Sequence, residues 1–286
     1  MVFKITGMLP FNPFNAREHF DFIIPGDKPA ALLVHGFPGT PAEMRPLAES
    51  LHDRGWTVRG LLLPGFGSDL DTLPRRRAEE WFGAVKKALL ELRSHHSPLM
   101  LVGNSMGAAV SIAAAEQVQV DGLVILSPFW RLASAVWPFV PLLCRLIPSL
   151  HPFWWMKVDY QEPRVRLVLN RFFPRIDPDN VRDRRELRKF KLPLGVFDQI
   201  RRAGAAAYSA AAKVHIPVLS VQGIHDPIAK ISMTRLLLKQ YAGPVRYAEV
   251  EAEHDLLDIA LPVWEHVRSL VLGFARTLEP VPVKNR

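Results

Sequence analysis

Short apolar runs and amphipathic stretches take turns along most of this chain. Ala31 to Val34, Thr57 to Leu63, Met100 to Val102, Gly122 to Leu126, Ile216 to Gly223 and Val245 to Val250 read as strands. Apolar runs of this kind, without a polar alternate face, suit strands covered on both sides by other layers. His19 to Ile24 alternates more clearly and reads as a further strand, closed by a turn at Pro25-Gly26-Asp27.

Helical periodicity fills the gaps. Met44, Leu47, Ala48 and Leu51 share one face, with Thr40 placed as an N-cap, Pro41 at the first helical position and Glu43 completing a capping box. Gly55 stops this helix, and Pro46 inside it should kink it. Trp81, Val85, Ala88, Leu89 and Leu92 form the next face, after Arg75-Arg76-Arg77. Ala108, Ala109, Val110, Ile112 and Ala113 form a small-residue helix that can pack close to a sheet. Two more helices are expected, over 231–241 and from about 262 to 277. Strand and helix thus alternate from residue 30 to 127, which predicts a mostly parallel sheet flanked by helices on both faces, an α/β fold. Sites in such sheets lie at the carboxyl ends of strands. His35-Gly36, Ser105 and Ser127 each follow a predicted strand and should share one edge.

Residues 129–213 break the rhythm. Phe129 to Met156 is apolar and aromatic but interrupted by Pro138, Pro141, Pro148 and Pro152. Arg131 and Arg145 keep its uncharged runs below the ~18 residues of a membrane span. Asn180 to Lys191 is polar and basic, and Phe197, Ile200, Ala203, Ala207, Ala210 and Ala211 suggest a helix returning to the core. The expected organisation is a core of residues 1–128 and 214–286 with a helical cap, 129–213, inserted between them.

Composition changes this picture little. With 49% hydrophobic and 22% charged residues in 286, the chain is a globular domain with room for an insertion. The formal net charge is +8, but the basic residues are dispersed without aromatic interleaving, so no nucleic-acid partner is expected. Anionic lipid is the other partner such a surface could meet. The single cysteine, Cys144, allows no internal disulfide, and Met1 to Pro10 lacks the apolar run of a signal peptide. Both suit a cytoplasmic setting.

The chemistry concentrates at Gly103-Asn104-Ser105-Met106-Gly107, a G-x-S-x-G turn between strand and helix. A serine hydroxyl needs a base, a group that orients the base, and donors for an oxyanion. His254 and Asp226, each just after a later predicted strand, supply the first two in the order serine, acid, histidine. Imidazole titrates close to neutral pH, which suits a group that takes and returns a proton. The oxyanion donors would be the backbone N–H groups of Met106 and Phe37. Asp226 also fits an Asp-Pro turn residue, and His254 a surface histidine. His225 is a rival base, though one turn would then hold both acid and base. His35 fits a structural hydrogen-bonder better than a catalyst. No residue cluster has metal-ligand spacing, no phosphate loop is present, and no cofactor is expected.

Leu33-Val-His-Gly-Phe-Pro-Gly-Thr-Pro, Gly103-Asn-Ser-Met-Gly-Ala, Gly223-Ile-His-Asp-Pro-Ile and Glu253-His-Asp-Leu together resemble the oxyanion loop, elbow, acid turn and histidine turn of the α/β-hydrolase superfamily. The chain is most similar within it to bacterial carboxylesterases and monoacylglycerol lipases, over residues 30–127 and 215–275. Phe66 stands where a histidine is usual, and Ala108 where a second glycine is common. The resemblance implies hydrolysis of a carboxylic ester, monoacylglycerols included, through an acyl-serine intermediate without a cofactor. The Gly-Asn-Ser-Met-Gly spelling is shared with carbon–carbon bond hydrolases that use the same triad, and a non-catalytic lipid-binding protein on this fold is a third reading. Trp130, Trp137, Phe139, Phe153, Trp154 and Trp155 could line an acyl pocket, meet a lipid interface or form the cap's own core.

Overall fold

The computed structural model describes residues 14–155, 158–162, 165, 166, 169, 176–189 and 191–279. The amino-terminal stretch weighed as a signal peptide lies outside these residues, as does the side chain of Trp155.

Seven strands form one sheet: β1 (Phe22–Ile24), β2 (Ala30–Val34), β3 (Thr57–Leu61), β4 (Leu99–Asn104), β5 (Gly122–Leu126), β6 (Val218–Gly223) and β7 (Val245–Val250). Their order is β1-β3-β2-β4-β5-β6-β7. Only β1 runs antiparallel, on the edge beside β3. The helices that matter to the core are α1 (Arg45–His52), α2 (Ala78–Arg93) and α3 (Met106–Ala115).

The unbroken apolar runs have a simple cause. Successive side chains point to opposite faces, and both faces are covered. Leu32, Val34, Leu101, Leu123 and Ile125 pack with α2 and α3, whereas Leu33, Met100, Val102, Val124 and Leu126 pack with α1 and with the carboxyl-terminal helix, Trp264–Leu278. Helix α3 has no polar face, and Met106 through Ala114 are all buried.

The register fixes where loops emerge. Val34 pairs with Gly103, Asn104 with Leu126, and Gly223 with Val250. The loops after β2, β4, β5, β6 and β7 therefore open on one edge.

The segment after residue 40 departs from the expected single kinked helix. Pro41–Met44 is a 3-10 turn, and α1 starts afresh at Arg45 with Pro46 in its first turn. A proline there loses no hydrogen bond, since the first N–H groups of a helix have no internal acceptor. No capping box forms. The Thr40 hydroxyl bonds His19 Nδ1 at 2.8 Å, and the Glu43 carboxylate turns elsewhere.

Between β5 and β6 the chain leaves the sheet through α4 (Val140–Leu146), one helical turn at Pro152–Trp155, α5 (Val181–Leu187) and α6 (Leu194–Ala211). Ser149-Leu150 pairs antiparallel with Leu192-Pro193 and closes the base of this excursion. Leu169, Ile176 and Leu187, with Phe153 and Tyr160, form a small cluster of their own. Helix α6 is different. Its Ile200, Ala203, Ala207, Ala210 and Ala211 belong to the main buried cluster and pack on α3. Within the stretch read as the cap, α6 thus buries a small-residue stripe against a small-residue helix. The aromatic residues divide accordingly. Trp130 is buried, its ring stacked on Tyr208 at 4.6 Å and its Nε1–H donating to Met233 O at 2.8 Å. Trp137 is buried too, whereas Phe139 and Trp154 are 60% and 74% exposed. Among the described residues no helix is long and apolar enough to cross a membrane.

Gly204 is where α6 meets the excursion. A Cβ built there would lie 1.7 Å from the Trp130 carbonyl oxygen. Gly204→Ala should therefore push α6 off this strut and destabilise the fold by about 1–3 kcal/mol, as overpacking does. Thermal melts that leave the variant within experimental error of the wild type would contradict the contact.

Candidate active site

Ser105 sits at the turn from β4 into α3, with φ 52° and ψ −117°, a conformation rare for a residue with a Cβ. Two glycines make the turn sterically feasible. A Cβ on Gly103 would fall 2.5 Å from Gly107 O. Another Cβ, on Gly107, would fall 2.4 Å from the carbonyl oxygens of Val34 and His35. The turn is held from three sides: Ser105 N–H donates to Leu126 O at 2.9 Å, while Ser105 O accepts from Ala108 N–H and Phe129 N–H, each at 3.1 Å.

The three residues singled out by motif order meet. Ser105 Oγ lies 2.9 Å from His254 Nε2, and His254 Nδ1 lies 2.7 Å from Asp226 Oδ2. A carboxylate can only accept, so Nδ1 carries the ring proton and Nε2 accepts from the serine hydroxyl. Ser105 is 6% exposed, and the Asp226 side chain is fully buried. The rival His225 points outward to Glu251, 2.5 Å from its Nε2.

Asp226 is over-determined. Its Oδ1 accepts from Ile228 N–H and Ala229 N–H, both at 2.8 Å, and Oδ2 accepts from Gln222 Nε2 at 3.1 Å as well as from His254. Burial works against its charge, but His254 and the two backbone donors outweigh it and hold the carboxyl below the ordinary carboxylate range. Gln222 is itself fixed, since Oε1 accepts from Thr234 Oγ1 at 2.7 Å and Nε2 donates to Ala229 O at 2.9 Å. The histidine loop is braced by Ser127, whose hydroxyl donates to His254 O at 3.0 Å from a buried position with φ 40°.

The loop after β2 runs directly beside the serine. A Cβ on Gly36 would stand 3.0 Å from Ser105 Cβ. His35 is fully buried, with Nδ1 donating to Gly36 O at 2.9 Å and Nε2 accepting from Leu63 N–H at 3.1 Å. Phe66, also buried, stands edge-on to His35 at 4.9 Å and to Phe37 at 6.3 Å. Phe66 thus packs the loop from beneath. Gly36 N–H donates to Glu43 Oε1 at 2.6 Å, and Asn104 Nδ2 donates to the same oxygen at 3.0 Å.

Of the two tryptophans considered as substrate contacts, Trp130 is packed into the core, as described above. Trp137 lines an apolar crevice of about 190 Å³ between α4 and α6, together with Val136, Val140, Leu143, Leu194 and Phe197. Two walls of the crevice continue to the site. Phe197 meets Phe37 edge-on at 5.9 Å, and Trp137 meets Phe129 at 5.8 Å. Among the described residues no group of three or more His, Cys, Asp or Glu is placed to hold a metal ion.

Glu43, Gln222 and Ser127 had no weight in the sequence reading as site residues beyond a cap and a strand end. Their signals are only retrospective: a carboxylate beside a His-Gly loop, and an amide four residues before the acid.

Comparison with known proteins places the chain in a family. The profile of the family described as serine aminopeptidase, S33, matches residues 27–257. Over 85 residues the chain is 36% identical to a thermostable monoacylglycerol lipase of Bacillus sp. (strain H-257), covering 30% of this chain and 34% of that protein. Over 100 residues it is 32% identical to a carboxylesterase of Bacillus subtilis (strain 168), covering 35% and 40% respectively. The matched segments thus span well under half the length of either relative. The crystal structure of Paleococcus ferrophilus monoacylglycerol lipase superposes with a TM-score of 0.69 at 19% identity, covering 91% of this chain and 99% of that one, a likeness of fold.

His35 gives the site a pH-dependent support. Burial pushes its pKa down to about 4, against a smaller opposing pull from the Gly36 carbonyl. The unfolded chain binds the proton near ~6.5, so the stability held by neutral His35 is full above that pH and is lost as pH falls toward 4. The loss should amount to about 3 kcal/mol. Melting temperatures recorded from pH 7 to 4 should fall less steeply in His35→Asn than in the wild type. Equal slopes would show that His35 titrates freely.

Proposed function

The chain belongs to the serine aminopeptidase S33 family of α/β-hydrolases, and from that premise we propose that it cleaves carboxylic esters, monoacylglycerols among them. The hydrogen-bonded sequence Ser105–His254–Asp226 on one sheet edge carries this reading. In the proposed reaction, Ser105 Oγ attacks the ester carbonyl carbon while His254 Nε2 takes the hydroxyl proton. The carbonyl oxygen becomes an oxyanion, received by the N–H groups of Phe37 and Met106. Met106 is the first residue of α3, where a helix leaves its N–H without an internal acceptor. Collapse breaks the bond to the alkoxy group, which leaves as alcohol with the proton from His254. Water then repeats the sequence on the acyl-serine and releases the acid. Asp226 stays ionised throughout and holds the imidazolium.

The crevice between α4 and α6 supports an acyl group as the part recognised. The six lining residues named above are apolar, so the crevice offers nothing to the ammonium group of a peptide terminus. At ~30 Å³ per water-sized group it has room for about six methylenes.

The outer side of the same region favours a lipid surface as the place of encounter. Phe139, Leu142 and Leu146 recur at helical spacing and are all exposed, while Leu143 and Cys144 of the same helix turn inward to the crevice. Arg131 and Arg145 lie exposed nearby, complementary to anionic headgroups.

Two measurements test these statements. Wild type should hydrolyse p-nitrophenyl esters with an optimum at short to medium chains, and Ser105→Ala should abolish turnover. Val140→Trp, which fills the crevice, should shift the optimum to shorter acyl groups. Activity on aminoacyl p-nitroanilides and none on esters would replace the ester reading with a peptidase. For the surface, the protein should co-sediment with phosphatidylglycerol-containing vesicles. Leu146→Asp should weaken that binding about tenfold, close to the loss expected from an exposed apolar anchor, with turnover of a soluble ester unchanged. Undiminished binding would remove the lipid surface.

A further inference from the structure

Glu43 closes the 3-10 turn after Thr40 in sequence, and its carboxylate sits at the join between the two halves of the site. Its Oε1 accepts from Gly36 N–H at 2.6 Å and from Asn104 Nδ2 at 3.0 Å. Gly36 immediately precedes Phe37, and Asn104 immediately precedes Ser105 and the turn to Met106. One oxygen atom therefore ties together the two segments that bear the proposed oxyanion donors. We propose that Glu43 is a positioning residue that sets the gap between the Phe37 and Met106 N–H groups by clamping the loop after β2 to the end of β4. This rests on the ester-hydrolase reading above.

Three further observations bear on the role. The space for the carboxylate has been kept open, since a Cβ on Gly39 would lie 1.9 Å from Glu43 Oε2. The carboxylate only accepts, so it holds the Asn104 amide with its NH₂ group inward. The opposite atom, Asn104 Oδ1, is thereby left buried without a hydrogen-bond partner. Such an orphan costs about 1–3 kcal/mol. Finally, a negative charge beside a forming oxyanion opposes it by Coulomb's law. Glu43 is thus poorly chosen for electrostatics and well chosen for geometry. A charge-assisted acceptor makes short, strong bonds to two donors at once.

The clamp acts on the transition state, because the oxyanion does not exist in the bound ester. Loosening it should lower kcat and leave KM alone. Glu43→Ala should lose about ten- to a hundredfold in kcat, less than the hundred- to thousandfold of a removed oxyanion donor because the donors are only displaced, with KM within about twofold. Glu43→Gln keeps an acceptor oxygen in place and removes the charge, so it should retain kcat within about threefold. Amide hydrogen exchange at Gly36 and Phe37 should accelerate in Glu43→Ala and not in Glu43→Gln.

The outcomes separate. A folded Glu43→Ala with wild-type kcat overturns the clamp. So does a loss in kcat and KM alike that Glu43→Gln does not rescue, which would mark an ordinary structural residue. If wild type hydrolyses no ester, the ester reading fails on its own. The clamp is then judged by amide exchange and by the rate at which a fluorophosphonate labels Ser105, and no change in either with Glu43→Ala overturns it.

Discussion

The site depends on how closely the end of β2 approaches the turn at Ser105. Gly107 lies so near the carbonyls of Val34 and His35 that a Cβ would reach 2.4 Å, and Gly36 lies almost as near Ser105 Cβ. Backbones can come this close only where side chains are missing. Everything else follows from that approach. It forces glycine at 107, it puts the loop after β2 alongside the nucleophile candidate, and it places two N–H-bearing segments on either side of one small volume. The positive φ of Ser105 is the local cost of the approach, about 1–3 kcal/mol for a residue held there. The buried strands around it supply the rigidity that maintains it.

A tight approach of backbones leaves buried polar groups to satisfy, and the structure does so in layers. His35 satisfies Leu63 N–H and Gly36 O, Gln222 satisfies Asp226 and Ala229 O, and Ser127 satisfies His254 O. Each is fully or nearly fully buried, and each belongs to a strand end or the residue just after it. Such networks are strong when complete because the low local dielectric enhances each bond. They also fix orientation. Thr234 determines which way the Gln222 amide faces, Gln222 and two backbone donors determine how Asp226 faces, and Asp226 determines the tautomer of His254. The contacts at 2.7 and 2.9 Å among Asp226, His254 and Ser105 are the end of that chain of constraints.

The sheet, its helices and the shared edge were legible because they arise from period and chain order. Apolar runs bounded by turn residues carry strand identity locally, and G-x-S-x-G with later Asp and His carries the order of the site. What was not legible depends on distance in space. Glu43 three residues after Thr40 has the spacing of a capping box, and nothing in the sequence says that Thr40 Oγ1 will bond His19 instead. Pro46 reads as a kink until the 3-10 turn before it makes a fresh start for α1. Helix α6 has the composition of a core helix, but only its packing on α3 shows that it is one. Trp130 and Trp137 are alike in sequence, and only six residues, 131–136, separate a core strut from a crevice wall.

The excursion between β5 and α6 has apolar surface on two sides of one short helix. A seven-residue helix, α4, lacks the length to be stable alone, so its position must come from contacts. Val140, Leu143 and Cys144 provide them on the inner side, beside Phe197 of α6. That inner side is a crevice rather than a sealed core, which leaves α4 less firmly held than α3 or α6. The floor beneath it is rigid: Phe37 and Phe129 are fixed to the same sheet edge as Ser105. A firm floor under a lightly held cover means that a ligand entering the crevice would gain contacts on α4 without disturbing the geometry at Ser105. In the ester hydrolysis proposed above, selectivity and chemistry would therefore be carried by different elements, and changes in one need not alter the other.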